Sequence, residues 1–265
     1  MDEAELLFTS ILGCGRLDLY KNKKSLLNKE QSALLAGALR QRISGRPLQY
    51  ILGKADFFGF EFKVNPDVLI PRPETEILVE KAIEITRSKE WGAGGINILD
   101  IGTGSGCIAV SLAKLLPQAE IIAIDISAKA LEVAKENARL HNVSERINFY
   151  QSDLFSSCEL RPAAYGLIVA NPPYIASGEI DQLQLEVKCE PRLALDAGID
   201  GLDFYRRIIP RAAAYLKSGG YLLMEIGFGQ REKIEKIFQN SPNFEIMEEI
   251  KDYSGIDRIM AAKNG

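Results

Sequence analysis

The sequence predicts an α/β fold in which helices cover both faces of a mostly parallel sheet. Two observations carry this prediction. Short apolar runs alternate with amphipathic stretches after residue 95, whereas the chain before residue 47 has the three- and four-residue apolar spacing of helices. Strands that are joined by helices pair in parallel, because a parallel pair needs a long crossover connection. We therefore expect a large α/β domain preceded by a small helical domain.

The small amino-terminal domain is predicted to span residues 1–49. Leucines and alanines recur every three or four residues over 4–12 and over 25–42, as on the buried face of an amphipathic helix. Pro47 breaks this spacing, since proline has no amide hydrogen with which to continue a helix. The spacing therefore predicts a helical domain that ends near residue 49.

A connecting segment is predicted over residues 50–90. Residues 50–64 carry four phenylalanines around Gly59, which favours a β-hairpin that turns at the glycine. Two prolines then interrupt the chain, and apolar residues at helical spacing follow over 77–87. The connection is thus expected to contain one hairpin and one helix.

The α/β domain is predicted to span residues 91–265 and to begin with a flexible glycine-rich joint at 91–95. Five apolar runs are typical of buried strands: residues 96–101, 120–124, 147–150, 167–170 and 221–226. Four amphipathic stretches predict helices: residues 107–116, 128–141, 202–216 and 230–239. The last two apolar runs, 244–250 and 258–262, are expected to form an antiparallel hairpin.

The composition excludes several classes of protein. The net charge of −4 over 265 residues argues against a broad basic surface for nucleic acid. Four cysteines lie far apart and His141 is the only histidine, so neither a metal site, a disulfide framework nor a Ser-His-Asp triad is suggested. An acidic amino terminus, with no apolar run approaching about 18 residues, predicts a cytoplasmic protein without a membrane segment.

A glycine-rich turn follows the first predicted strand of the α/β domain. It reads Asp100-Ile101-Gly102-Thr103-Gly104-Ser105-Gly106. Glycines permit positive φ and close backbone approach, and a helix start offers free amide groups with a partial positive charge. The turn therefore suits a ligand carboxylate or phosphate. A plain strand-to-helix turn and a nicotinamide dinucleotide loop remain alternatives.

Polar and aromatic residues follow the next two strands. Asp125 ends the second strand, where a carboxylate can accept both ribose hydroxyls of an adenosine. Asp153 and Phe155 follow the third strand, and the Phe155 ring can cover an adenine face. A helix cap at Asp125 and a core position for Phe155 are the alternatives. The pattern fits nicotinamide adenine dinucleotide or S-adenosylmethionine.

The tetrapeptide Asn171-Pro172-Pro173-Tyr174 decides between these cofactors. The Asn171 side-chain oxygen and a backbone carbonyl beside Pro172 can accept the two hydrogens of a planar NH2 group, and the Tyr174 ring can pack against its face. Methyl transfer to nitrogen needs such a grip, whereas hydride transfer does not. A strand that ends in a Pro-Pro turn without this role is the alternative.

Together the glycine turn and the tetrapeptide resemble S-adenosylmethionine-dependent methyltransferases of the seven-stranded, Rossmann-like type. The stretches 47–53 and 69–76 resemble the PrmC/HemK family, the glutamine methyltransferases of peptide chain release factors. Residues 190–195, 200–202 and 225–227 match this family as well. The resemblance spans nearly the whole chain from Pro47.

The resemblance implies methylation of the glutamine side-chain amide in the Gly-Gly-Gln motif of class I release factors, during translation termination. It implies S-adenosylmethionine as cofactor and S-adenosylhomocysteine as product. The implied cofactor contacts are Gly102, Thr103, Gly104, Ser105, Gly106, Asp125, Asp153, Phe155 and Asn171. The implied catalytic residues are Asn171, Pro172 and Tyr174, and the same three with Pro173 hold the substrate. We expect a monomer that does not bind nucleic acid directly.

Residues flanking this site are predicted to have structural roles or to border the substrate. Glu74 and Glu76 fit carboxylates at a helix start, and Arg72 fits an ion-pair partner. Glu190 fits either a loop turn or the edge of the site. The mechanism expected is in-line displacement at the sulfonium methyl, in which orientation replaces a strong base.

Two other functions stay open. A DNA adenine or RNA guanine amino-methyltransferase also needs to hold a flat NH2 group, but it needs a basic groove that this acidic chain does not clearly show. A non-catalytic adenosine-binding adaptor is the second alternative. An intact Asn171-Pro-Pro-Tyr174 sequence argues against it.

Overall fold

A computed structural model of the chain describes residues 3–21, 26–89, 91 and 95–265. Residues 92–94 of the predicted glycine joint, and residue 25 at the start of the second predicted helix, lie outside the described residues. None of the described helices has both the length and the apolar character needed to cross a membrane.

The described amino-terminal residues form four helices: α1 (Glu3–Leu12), α2 (Arg16–Lys21), α3 (Lys29–Ile43) and α4 (Leu48–Leu52). Helix α3 starts after Asn28, whose side chain accepts a hydrogen bond from the Gln31 amide at 2.7 Å, while the Gln31 side chain accepts one from the Asn28 amide at 3.1 Å. This capping box fixes a start later than predicted. A small apolar cluster joins α1, α3 and α4 through Leu7, Leu35, Ala38 and Leu48.

The predicted hairpin is present, but it is shorter than expected. Strands β1 (Lys54–Phe57) and β2 (Phe60–Lys63) pair antiparallel around Gly59. The predicted start at residue 50 was wrong, because Tyr50 lies in α4, which ends at Gly53 with a φ of +72°. Proline before a helix is tolerated, so Pro47 begins α4 instead of ending the helical domain. Helix α4 spans the boundary predicted between residues 49 and 50, and the domain boundaries stay predictions.

Helix α5 (Pro73–Arg87) begins earlier than the predicted residue 77. Pro73 stands in its first turn, where a missing amide hydrogen costs nothing, and the carboxylates of Glu74 and Glu76 favour the positive end of the helix dipole. Glu76 also accepts a hydrogen bond of 2.7 Å from the Phe58 amide. This bond attaches the hairpin to the helix that leads into the sheet.

The carboxyl-terminal part contains one seven-stranded sheet in the order β5-β4-β3-β6-β7-β9-β8. Its strands are β3 (Ile96–Ile101), β4 (Ala119–Asp125), β5 (Ile147–Gln151), β6 (Tyr165–Ala170), β7 (Leu216–Glu225), β8 (Phe244–Lys251) and β9 (Asp257–Asn264). Strands β3 to β7 are parallel, and β9 is antiparallel to both neighbours. The predicted α/β fold, including the terminal hairpin, is confirmed.

Helices cover both faces of this sheet. They are α6 (Cys107–Leu115), α7 (Ala128–Leu140), α9 (Asp203–Tyr215) and α10 (Arg231–Gln239), with a short α8 (Leu185–Lys188) in the segment after β6. Helices α5 and α6 share one apolar cluster with Ile98, whereas α9 and α10 share the other with Leu99. Consecutive residues of β3 point to opposite faces, so this strand is buried on both sides. Helices α2 and α8 were not predicted.

Candidate active site

The candidate site lies where the order of the strands reverses. Strands β3 and β6 are neighbours at the centre of the sheet, and Ile101 pairs with Ala170 at their carboxyl ends. The next residues along the two strands, Gly102 and Asn171, therefore leave the sheet side by side. Ligands of doubly wound sheets bind at such a reversal, because two loops diverge there and leave a crevice.

A cavity of about 340 Å³, here called the glycine-turn cavity, lies at this edge of the sheet. Gly102 and Gly104 line it with φ of +74° and +55°. A side-chain carbon added at Gly102 meets no protein atom within 4 Å, and one added at Gly104 meets only the Gly102 carbonyl at 4.0 Å. The glycines thus leave open space that a ligand can fill against the backbone.

Asp125 lines the glycine-turn cavity. Its two carboxylate oxygens accept hydrogen bonds of 2.9 Å from the amides of Gly104 and Ser127. Burial raises the pKa of Asp125, and these amide donors oppose the rise. The cap of helix α7 is Ser127, whose hydroxyl accepts from the Ala130 amide at 3.2 Å, so Asp125 does not serve as a helix cap. Its carboxylate instead joins the glycine turn to the end of β4.

Three predicted cofactor contacts lie behind the turn and do not line the glycine-turn cavity. Thr103 is buried and donates a hydrogen bond of 2.7 Å to Asp100, and Ser105 is buried with its carbonyl accepting from Asn137 at 2.8 Å. A side-chain carbon at Gly106 would lie 3.0 Å from the Ala134 side chain. These residues support the shape of the turn and the packing of α6 on α7.

Asp153 and Phe155 have different surroundings. Asp153 lines the glycine-turn cavity and forms an ion pair of 2.7 Å with Arg207, which lines it too. The ring of Phe155 is 2% exposed, stacks on Tyr215 at 4.6 Å between centroids and lies outside the cavity lining. Phe155 therefore occupies the core position that was its alternative, because the turn after β5 places Leu154 at the cavity instead.

A second cavity of about 320 Å³, here called the Tyr174 cavity, adjoins the first. Asn171 lines both cavities, Pro172 and Tyr174 line the second, and Pro173 lines the first. The Tyr174 carbonyl accepts a hydrogen bond of 2.8 Å from the Gln230 side chain. Burial raises the pKa of Tyr174 to about 12, so its hydroxyl is neutral near pH 7. The tetrapeptide therefore forms the partition between two cavities.

The Asn171 amide is held from behind by two buried side chains. Its Nδ2 donates a hydrogen bond of 2.9 Å to the Thr75 hydroxyl, and that hydroxyl donates one of 2.6 Å to Glu225. Glu225 is 1% exposed at the end of β7, and burial raises its pKa to about 7 against the opposing effect of the Thr75 hydrogen bond. The Nδ2 end of the Asn171 amide faces this chain of hydrogen bonds.

The wall of the Tyr174 cavity depends on an ion pair between distant segments. Arg72 lines the cavity and pairs with Glu190, whose side chain is 2% exposed. Glu190 also accepts a hydrogen bond of 3.0 Å from the Ile70 amide. It thereby fixes the segment before α5 against the segment after β6, and the predicted ion-pair role of Arg72 has a defined partner.

Comparison with known proteins identifies the family of this chain. A methyltransferase domain model matches residues 93–262, and a PrmC N-terminal domain model matches residues 1–53. The release factor glutamine methyltransferase of Geobacter sulfurreducens is 43% identical over 264 residues, which cover 99% of this chain and 89% of that protein. The protein of the same name from Thermodesulfovibrio yellowstonii is 41% identical, with 97% and 90% covered.

The chain belongs to the release factor glutamine methyltransferase family. Membership confirms the predicted enzyme class, an S-adenosylmethionine-dependent protein methyltransferase. It also confirms the resemblance to PrmC/HemK that residues 47–53 and 69–76 indicated.

Solved structures resemble this member of the family in fold. A methyltransferase from Pyrococcus furiosus superposes with a TM-score of 0.56 at 15% identity, covering 90% of this chain and all of the other. The structure of M. jannaschii TYW2 in complex with AdoMet superposes with a TM-score of 0.52 at 12% identity, covering 79% of this chain and 84% of the other. These similarities support the Rossmann-like architecture alone.

Two residues that support the candidate site, Thr75 and Glu225, had no role predicted from the sequence. Thr75 belongs to the proline-rich stretch 70–76, which was predicted to precede the helix but forms its first turn in the structure, and Glu225 was noted only as part of a matching tripeptide. A carboxylate at the end of an apolar strand is a signal for a buried polar contact, because an unpaired buried charge is costly. The identity of its partner, 150 residues away, required the fold.

Proposed function

We propose that this enzyme methylates the side-chain amide nitrogen of the glutamine in the Gly-Gly-Gln motif of class I release factors. The single observation that carries the proposal is Asn171, which lines both cavities and directs its Nδ2 toward Thr75. The opposite end of the amide, Oδ1, is an acceptor, and an acceptor is what a glutamine NH2 group requires.

The glycine-turn cavity is proposed to hold S-adenosylmethionine, which supplies a sulfonium-bound methyl group as electrophile when bound. Gly102 and Gly104 let the ligand approach the backbone, and the Asp125 carboxylate is the acceptor for ribose hydroxyls. Leu154 and Phe204 line the same cavity and offer apolar surface for a base. Thr103, Ser105 and Gly106 act through the shape of the turn, and Phe155 acts through the core.

The Tyr174 cavity is proposed to hold the glutamine. Asn171 Oδ1 accepts one amide hydrogen, the Pro172 backbone carbonyl accepts the other, and Tyr174 contributes ring surface to the planar group. Pro173 lies on the cofactor side and keeps the partition rigid, because its ring fixes φ. The chain thus positions the nitrogen at the junction of the two cavities.

Orientation is the proposed source of catalysis. An amide nitrogen is a poor nucleophile because its lone pair is delocalised, and alignment supplies up to roughly 7–11 kcal/mol in ideal intramolecular reactions. Asn171 and the Pro172 carbonyl fix both hydrogens, which turns the lone pair toward the glycine-turn cavity. Formation of the bond between nitrogen and the methyl carbon would break the bond between that carbon and the cofactor sulfur, and the methylated nitrogen would then lose one proton to solvent, so the site needs no strong base.

The proposed acceptor also indicates where the enzyme works and what kind of substrate it meets. Release factors act during translation termination, so we propose that the enzyme works in the cytoplasm as a monomer on a protein substrate. The net charge of −4 supports a protein acceptor over a nucleic-acid backbone.

Mass spectrometry of the acceptor tests this function. Intact class I release factor is incubated with the enzyme and S-adenosylmethionine, and the Gly-Gly-Gln peptide is then sequenced. A gain of one methyl group on the glutamine is the expected result. A parallel incubation uses labelled cofactor with duplex DNA and total RNA, and label in nucleic acid without label in the release factor would refute the proposal.

A further inference from the structure

The Asn171 amide has two nearly isosteric orientations, and only one of them serves an NH2 acceptor. Rotation by 180° exchanges Oδ1 and Nδ2, which would place a donor against a donor. Packing alone distinguishes the two orientations weakly, since oxygen and NH2 have similar sizes. A neighbouring group that can only accept a hydrogen bond from Nδ2 is therefore needed to hold Asn171 in the productive orientation.

The Thr75 hydroxyl is such a partner because its single hydrogen is already used. It donates to Glu225 at 2.6 Å, so only its lone pairs are left to face Asn171, and they accept from Nδ2 at 2.9 Å. An ionised carboxylate accepts and never donates. The direction of both hydrogen bonds thus follows from the charge on Glu225.

The backbone fixes the distances of this chain of hydrogen bonds. Ala170 pairs with Met224 on neighbouring strands β6 and β7, so Asn171 and Glu225 follow the paired residues. Helix α5 brings Thr75 between them, and the Tyr205 hydroxyl donates a hydrogen bond of 3.0 Å to the Glu225 carbonyl. Thr75 and Glu225 are 2% and 1% exposed, so water does not compete for these bonds.

We propose that Thr75 and Glu225 are positioning residues that hold the Asn171 amide with Oδ1 toward the acceptor. Neither residue lines the two cavities, so they act through Asn171 and not on the substrate. This inference rests on the proposed role of Asn171 in gripping the glutamine amide.

The orientation of the Asn171 amide is expected to depend on pH. A protonated Glu225 is able to donate a hydrogen bond to Thr75, and the Thr75 hydroxyl is then free to donate to Asn171 instead of accepting from it. Burial raises the pKa of Glu225 to about 7. The ionisable groups whose charges act on it are Arg72, Glu74, Cys107, Tyr174, Tyr205 and Arg258. Above about pH 7 the ionised Glu225 keeps Asn171 Oδ1 directed toward the acceptor, so kcat is expected to rise as the pH passes through about 7.

Matched substitutions at Thr75 test the proposal. Thr75→Val keeps the shape and removes the hydroxyl, and it is expected to lower kcat on the release factor by about 10- to 100-fold, with KM and the cofactor Kd within about threefold. Thr75→Ser keeps the hydroxyl, so its kcat is expected to stay within about threefold of the wild type. Equal losses in the valine and serine variants would show a packing role and overturn the inference.

A pH profile of Glu225→Gln gives an independent readout. The glutamine amide does not titrate and, like a protonated Glu225, is able to donate to Thr75, so the rise of kcat through about pH 7 is expected to disappear and kcat at pH 8.5 is expected to fall to about the wild-type value below pH 7. An unchanged profile in this variant would overturn the inference. Failure of the wild-type enzyme to methylate release factor would reject the proposed function, whereas a fully active Thr75→Val enzyme beside an active wild type rejects only this inference.

Discussion

Two buried pairs of a carboxyl group and a threonine hydroxyl support the two parts of the site. Asp100 accepts from Thr103 at 2.7 Å behind the glycine-turn cavity, and Glu225 accepts from Thr75 at 2.6 Å behind Asn171. Burial raises the pKa of both carboxyl groups to about 7. The chemistry of the two pairs is therefore alike, but three residues separate the first pair and 150 separate the second.

This difference in separation decides what each pair does. The Asp100–Thr103 pair closes a local turn, so it shapes backbone that touches a ligand directly. The Glu225–Thr75 pair joins α5 to β7 and orients a third side chain. A local pair is readable from a motif, whereas the distant pair forms only when the sheet and α5 have assembled.

The largest expected effect is at Asn171, where both cavities meet. Asn171→Ala removes the acceptor oxygen, and we expect kcat for glutamine methylation to fall by about 1,000-fold or more while the fold is kept. Initial rates with release factor measure the loss, and circular dichroism checks the fold. Methylation near the normal rate would contradict the proposed mechanism.

Asp100→Asn tests the pair behind the glycine turn through the pH dependence of stability. Burial raises the Asp100 pKa from 3.8 to about 7, so the folded state holds a proton that the unfolded state releases between these values. The stabilisation that this proton provides is full below about pH 4 and is lost as pH rises through about 7. From pH 5 to 8, the wild type is expected to lose about 2–3 kcal/mol more unfolding free energy than Asp100→Asn. Urea unfolding at both pH values measures this, and identical pH dependence in the two proteins would disprove it.

A comparison of Gly102→Ala with Gly59→Ala distinguishes the loss of space for the ligand from the cost of backbone strain. Both glycines have a φ of +74° and no atom within 4 Å of an added carbon, but only Gly102 lines the glycine-turn cavity. Each substitution is expected to cost about 1–2 kcal/mol of stability from the positive φ. Gly102→Ala is also expected to raise the S-adenosylmethionine Kd by about tenfold, as isothermal calorimetry measures. A similar Kd in the two variants would argue that Gly102 does not border the ligand.

Glu190→Gln is expected to have the smallest effect. It removes the charge that pairs with Arg72 and keeps an acceptor for the Ile70 amide, so the wall of the Tyr174 cavity loosens without losing every contact. We expect about 1 kcal/mol of destabilisation and a KM for release factor raised a few-fold at unchanged kcat. Steady-state kinetics and thermal unfolding measure the two quantities, and a change confined to kcat would count against this account.

The features that were predicted correctly are those that neighbours along the chain determine. The apolar run 96–101 is a strand as predicted, and the glycine turn after it has positive φ at Gly102, Gly104 and Gly106. The strand predicted to start at Tyr50 was wrong, because a proline at a helix start and a proline at a helix end look alike in sequence. The local pattern also did not show that the Phe155 ring stacks on Tyr215, because these two residues are distant in sequence.

The sequence by itself determined the enzyme family, the α/β class, the glycine turn and the tetrapeptide at 171, because each depends on residue types at short spacing. Only the tertiary structure decided that Asn171 separates two cavities and that Thr75 and Glu225 stand behind its amide. The physical reason is that the donor and acceptor roles of Asn171, Thr75 and Glu225 depend on partners that are distant in sequence. Those partners meet only when parallel strands bring their carboxyl ends to one edge of the sheet.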